Sequence, residues 1–218
     1  MSTKQIMAIV SLGVLFLAPG PTSVAALPRP MARTILVLGD SLAAGFGVER
    51  EDAFPARLQE KIQAAGWRDI VVNAGVSGDT SADGLARVDW LLQRKVDVFI
   101  LELGANDGLR GIPVPTIKTN LQAIIDRVEH KYPQVRIIIA GMQMPPNVGE
   151  RYAEAYRKIF PELAAENQAA LVPFLLDGVG GKPELNQPDH MHPNAEGHKI
   201  VAENVWKVLR PILQEAYR

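Results

Sequence analysis

Five short apolar runs alternate along the chain with stretches of helical periodicity, and this alternation limits the possible folds more than any other feature. The runs cover residues 34–38, 69–73, 96–103, 136–140 and, more weakly, 170–174. The first, third and fourth stop at Gly39, Gly104 and Gly141, and the second ends near Gly75. They are apolar on both faces, as expected of strands covered from two sides. Between them, apolar residues recur at helical spacing. Leu58 and Ile62 do so within 54–65, Leu85, Val88 and Leu92 within 81–93, and Leu121, Ile124, Ile125 and Val128 within 117–128; further helical stretches occupy 151–167 and 195–216. Strand–helix alternation predicts an open, parallel α/β sheet with right-handed crossovers. At 218 residues without an internal repeat or a linker, the chain is long enough for one such domain.

Open α/β sheets bind ligands outside the carboxyl ends of their strands. The residues there read Gly39-Asp40-Ser41, then Asn73-Ala74-Gly75-Val76-Ser77-Gly78-Asp79, then Gly104-Ala105-Asn106-Asp107-Gly108. Ser41 stands where a hydroxyl can face the crevice, at the start of a turn or helix; it is also well placed as a simple N-cap. A nucleophilic serine needs a base. Of the four histidines, His190, His192 and His198 lie in or near Asp189-His190-Met191-His192-Pro193-Asn194. The Asp-x-x-His spacing lets a carboxylate turn back onto its own histidine and fix the tautomer. Capped turns, or a metal held by Asp189, His190 and His192, are the competing readings. Gly78 offers an unobstructed N–H and Asn106 a carboxamide N–H for an oxyanion, although both residue types also serve turns and caps.

Taken together, Gly39-Asp40-Ser41, Gly78, Gly104-Ala105-Asn106-Asp107 and Asp189-x-x-His192-Pro193 resemble the four blocks of the SGNH (GDSL) hydrolase family, in order, over about residues 33–215. The segments 72–80 and 101–109 are similar to its periplasmic thioesterase I/lysophospholipase/arylesterase branch. The resemblance implies a three-layer α/β/α fold with a five-stranded, parallel, flavodoxin-like sheet. It implies a serine esterase acting on acyl esters or thioesters, with Ser41 as nucleophile, His192 as base and Asp189 as its orienter. The oxyanion donors it implies are the Ser41 N–H, the Gly78 N–H and the Asn106 side chain. No cofactor or metal is expected. A carbohydrate O-acetylesterase is an alternative within this fold, and a catalytically silent binding protein is one outside enzymology.

Other features bear on the same site. Met142, Met144 and Pro146, with Pro145 and Val148, follow the fourth strand and could line an acyl pocket or pack in the core. Glu102 lies in an apolar strand, where a carboxylate is rare; a structural pairing or a second acid accounts for it. Asp40, Asp79 and Asp107 are expected to cap or brace the loops. Gly45-Phe46-Gly47 lacks the third glycine of a dinucleotide fingerprint.

Charge and composition exclude several classes. The formal net charge of −1 carries no footprint for nucleic acid or an anionic membrane. With no cysteine, the chain can form neither a disulfide framework nor a lipid-modified N-terminal cysteine. Lys4, an apolar stretch over 6–18 interrupted by Ser11, Pro19-Gly20-Pro21 and the small residues at 22–26 have the form of a cleavable secretory signal over residues 1–26, leaving 27–218 as a single domain. That stretch is too short to serve as a stable membrane anchor; a buried N-terminal helix is the alternative. Periplasmic or secreted, monomeric protein is expected. Intact mass of protein recovered from the periplasm or medium of its host should lack about 26 residues; a full-length chain retained in membranes would show an anchor instead.

Overall fold

The computed structural model describes residues 31–215, so the expected leader at 1–26 lies outside the described residues. Five strands, β1 (Thr34–Gly39), β2 (Ile70–Gly75), β3 (Val98–Glu102), β4 (Arg136–Ala140) and β5 (Ala170–Val172), form one parallel sheet in the order β2-β1-β3-β4-β5. The helices are α1 (Ser41–Ala44), α2 (Phe54–Ala64), α3 (Ser81–Leu91), α4 (Ala105–Leu109), α5 (Val114–Lys131), α6 (Glu150–Glu166) and α7 (Ala195–Gln214). The five long helices match the periodic stretches of the sequence. The short helices α1 and α4 do not announce themselves by periodicity, because four or five residues are too few to carry it.

Helices α2 and α7 pack together on one face of the sheet, and α3, α5 and α6 pack on the other. The apolar stripes converge on the central strands: Ile35 to Leu38, Phe99 to Leu101 and Ile137 to Ile139 are buried against Leu58 and Ile62 on one side and Leu121, Ile124 and Ile125 on the other. This double cover explains the uninterrupted apolar runs of β1, β3 and β4. The run at β2 departs from that pattern. Its sheet-edge position leaves Ile70 54% and Val72 41% exposed. Strand order, which a local run does not encode, makes the difference.

The order also sets the site. From β1 the chain steps outward to β2, then returns to place β3 on the other side of β1. The crossovers therefore diverge at the carboxyl ends of β1 and β3, and a crevice opens between them. At the opposite edge Arg33 ties three elements together. It meets Asp69 through its backbone N–H (2.9 Å) and guanidinium (2.8 Å), and reaches the Leu213 carbonyl of α7 at 2.7 Å.

His198 on α7 is buried, and its Nδ1 accepts the N–H of Phe54 at 3.2 Å. Ala53 at the α2 N-cap has no side-chain acceptor to offer, so the imidazole satisfies a first-turn donor from another helix. Burial, above all, pushes its pKa down to about 4, with Asp52 opposing. A folded-state value below the unfolded one leaves the histidine neutral and its contribution intact above about pH 6.5; that contribution is lost as pH falls toward 4. The stability advantage of wild type over His198→Gln should shrink by roughly 2 kcal/mol between pH 7 and pH 5 in urea unfolding, since other titrating groups are common to both proteins. An advantage independent of pH would show that His198 does not titrate as placed.

Candidate active site

Ser41 is the first residue of α1, directly after β1. Asp40 caps this short helix, its carboxylate accepting the Leu42 N–H at 3.0 Å. Asn73 on β2 supports the helix from below, donating to the Ala43 carbonyl at 2.7 Å. These contacts present the serine hydroxyl at the crevice with its own N–H at a helix start.

His192 reaches Ser41 from the loop before α7. Its Nε2 lies 3.0 Å from Ser41 Oγ, and its Nδ1 lies 2.6 Å from Asp189 Oδ2. The carboxylate requires a proton on Nδ1, which leaves Nε2 free to accept from the hydroxyl. The other carboxylate oxygen, Oδ1, accepts the N–H groups of Met191 (2.9 Å) and His192 (3.0 Å). One aspartate thus shapes the turn and orients the imidazole. The His192 N–H first, then that of Met191 and the imidazole itself, hold the Asp189 pKa down to about 2 against the effect of burial. His190 takes φ +60°, the left-handed conformation that folds His192 back onto Asp189. Gln187 closes the loop: its N–H donates to the His192 carbonyl at 2.8 Å, and its side chain donates to the carbonyls of Phe46 (2.6 Å) and Pro193 (3.0 Å). The Phe46 ring leans on the imidazole with centroids 4.7 Å apart.

Asn106 sits in α4, after β3, and faces the same crevice as Ser41 and His192. Its Nδ2 donates to the Asp79 carbonyl at 2.9 Å and to Asp40 Oδ2 at 3.3 Å. Gly78 lies in the adjoining loop at φ +89°, with its carbonyl held by Arg110 at 3.0 Å; it is not among the walls of the cavity around Ser41. The acidic residues expected to brace the loops do so. Asp107 accepts the N–H and hydroxyl of Ser81 at 2.7 and 2.6 Å, joining α4 to α3, and Asp79 pairs with Arg87 at 2.7 Å. Glu102 is buried under Ser41 and accepts the N–H groups of Asp40 and Ala43.

A cavity of about 350 Å³ opens beside Ser41, Asn106 and His192. Met142 and Met144 line it, as does Pro145; Pro146 begins a short 3-10 turn, and its side chain lies outside what is described. Met142 is also a core residue, so the two sequence readings of that segment both apply. Leu109, Phe174, Leu176 and Met191 complete the apolar wall. No local pattern marks them, because they come from three separate segments. Among the described residues no group of three or more histidines or carboxylates is arranged to hold a metal ion, and the Asp189 oxygens are engaged by their own loop.

Known proteins share this arrangement of chain. Residues 37–200 match the GDSL-like Lipase/Acylhydrolase family. Esterase TesA of Pseudomonas aeruginosa is 40% identical over 183 residues, 84% of this chain and 90% of that protein. Thioesterase 1/protease 1/lysophospholipase L1 of Escherichia coli is 39% identical, over 84% of this chain and 86% of that one. The crystal structure of a psychrotrophic esterase, EstA, from Pseudoalteromonas sp., inhibited by monoethylphosphonate, superposes with a TM-score of 0.78 at 33% identity, covering 84% of this chain and 99% of that chain. With its family blocks on one sheet edge and relatives of this identity over most of its length, the chain belongs to the GDSL-like lipase/acylhydrolase family.

Proposed function

We propose that this protein is a serine hydrolase of acyl esters and thioesters, working through an acyl-enzyme on Ser41. The observation that carries this reading is the unbroken line from Ser41 Oγ to His192 Nε2 (3.0 Å) and from His192 Nδ1 to Asp189 Oδ2 (2.6 Å), opening on an apolar cavity. Ser41 Oγ attacks the acyl carbonyl as its proton passes to His192 Nε2. Asp189 stabilises the imidazolium. The N–H groups of Ser41 and Gly78 and the Asn106 carboxamide receive the oxyanion; Asn106 does so by exchanging its long 3.3 Å bond to Asp40, since its 2.9 Å bond to Asp79 keeps it in place. The tetrahedral species collapses, and the departing alcohol or thiol takes the proton from His192. A water deprotonated by His192 then attacks the acyl-enzyme, and the acid leaves as Ser41 recovers its proton.

The substrate class follows from the cavity wall. Met142, Met144, Leu109, Phe174, Leu176 and Met191 offer an acyl chain flexible apolar contact and offer a sugar few partners. The relatives named as esterase and as thioesterase and lysophospholipase support this choice. One chain supplies every proposed group, which supports a monomer as the active form. Export by the N-terminal 26 residues places the enzyme in the periplasm or medium; among the described residues no helix is long and apolar enough to cross a membrane.

Two outcomes test this reading. A fluorophosphonate should label wild type and not a folded Ser41→Ala variant, and p-nitrophenyl octanoate should be cleaved by wild type in preference to acetylated sugar. Labelling or wild-type hydrolysis by Ser41→Ala would remove the nucleophile from its role, and a preference for the sugar would restore the O-acetylesterase alternative. In kcat, His192→Asn should lose several orders of magnitude, because base and nucleophile act as a unit. His190→Asn should lose about tenfold or less, or about 1.4 kcal/mol of barrier. If His190→Asn is the more damaging, the triad assignment is wrong.

A further inference from the structure

The carboxyl group of Glu102 takes no part in the triad, yet it is built into the turn that carries the nucleophile. It is only 1% exposed, at the end of the central strand β3. In the β1–β3 register it stands opposite Gly39. A Cβ at residue 39 would fall 2.3 Å from Glu102 Oε2, so the missing side chain is what admits the carboxyl. Oε2 accepts two backbone N–H groups, from Asp40 at 3.1 Å and from Ala43 at 3.2 Å. These donors lie on either side of Ser41 in the chain. The same carboxyl is hydrogen-bonded to the Asp40 side chain. Asp40 in turn accepts from the Leu42 N–H and from Asn106.

Two buried carboxyl groups in contact do not both ionise. Burial, then the adjoining charge of Asp40, pushes the Glu102 pKa well above the ordinary carboxyl range. Burial raises Asp40 as well, while the Leu42 N–H and the bond from Glu102 favour its charged form. The proton therefore belongs to Glu102. The groups facing the pair leave this assignment in place: Asp79 adds negative charge, and His192 lies on the crevice side. Arg87 is engaged by Asp79 and the Gly39 carbonyl, Asp107 is engaged by Ser81, and Tyr156 is a buried neutral phenol.

We propose that Glu102 is a positioning residue for the nucleophile: as the neutral acid it holds the N–H groups on both sides of Ser41 and donates a hydrogen bond to Asp40, the carboxylate that holds Asn106 before substrate arrives. One side chain thereby fixes the serine turn and an oxyanion donor as a unit. This role rests on Ser41 being the nucleophile. Loss of the Glu102 proton sets two charges against each other beneath the serine and removes the donor to Asp40. The device works below the Glu102 pKa and fails as pH rises through it. Glutamine reproduces the pattern without titrating, because its oxygen accepts and its amide donates. Methionine fills the space and does neither.

The test is kcat and KM for p-nitrophenyl butyrate between pH 6 and pH 9.5, for the full chain and its Glu102→Gln and Glu102→Met variants. Rates are expressed per active site counted with a fluorophosphonate, so that partial misfolding does not register. At pH 7, Glu102→Met should lose about 10²-fold in kcat with KM within about threefold, the scale of a small displacement of reacting groups. Wild type should decline in kcat toward alkaline pH, and a wild type with no such decline would overturn the role of the proton; Glu102→Gln should stay within about fivefold of wild type at pH 7 and lack the decline. A Met variant with wild-type kcat per titrated site would overturn the role. So would a Gln variant that is as damaged as the Met variant or that keeps the alkaline decline. Should Glu102→Met fail to fold, the Gln variant decides by its pH profile alone. A wild type that the fluorophosphonate does not label would sink the serine mechanism itself, an outcome separate from the other two.

Discussion

Gly39 stands opposite Glu102 at the carboxyl ends of neighbouring parallel strands, and the rest of the site is arranged around what that pairing allows. Parallel strands end together, so the loops that leave β1 and β3 begin within reach of each other. Glycine at one of the paired positions opens space for a carboxyl at the other. The chain after β1 then turns tightly over that carboxyl, and two N–H groups that α1 cannot satisfy internally find their acceptor there. The buried acid and the serine turn are each the condition for the other. Without the turn the carboxyl lacks partners; without the carboxyl the turn buries unpaired donors, at about 1–3 kcal/mol for each.

Three carboxyl groups near Ser41 behave differently because their surroundings differ. Asp189 lies in a partly exposed loop, is tied to two N–H groups and an imidazole, and stays ionised far below neutrality. Asp40 and Glu102 lie beneath the serine, where burial opposes charge, and hold one proton between them, on Glu102. The negative charge beside the His192 imidazole is thus kept on the solvent side, while the charge beneath Ser41 is held to one. An oxyanion forming beside Asn106 meets less repulsion than a doubly charged pair would impose.

His192 is held by a loop, not by a strand or helix, and its precise placement comes from closure. Residues 186–193 bond to one another across the Asn186–Pro193 bridge, and Gln187 fastens the loop to the Phe46 carbonyl. The left-handed His190 costs on the order of 1–2 kcal/mol, which the bonds from Asp189 offset. Phe46 then fixes the imidazole from one face. Ser41 on the rigid sheet edge and His192 on a self-bonded loop meet at 3.0 Å, with the cavity opening beside the pair.

The sequence by itself determined the order along the chain of the strands and the five long helices, the parallel α/β class and the identity of Ser41, His192 and Asp189 as candidates, because each is written in local pattern: apolar runs ending at glycine, helical spacing, and an Asp-x-x-His turn. It also marked Glu102 as an anomaly, since a carboxylate in an apolar strand is visible without coordinates. Local pattern does not encode strand order, and so it could neither place β2 at the exposed edge nor put Glu102 opposite Gly39. It missed the contributions of Leu109, Phe174, Leu176 and Met191 to the cavity and of Phe46 to the base, because those residues lie far apart in the chain and each alone is an ordinary apolar residue. Tertiary structure decided these points: only when the crossovers diverge at β1 and β3 do separate loops come to share one crevice, and only there do burial and proximity set which carboxyl group keeps its proton.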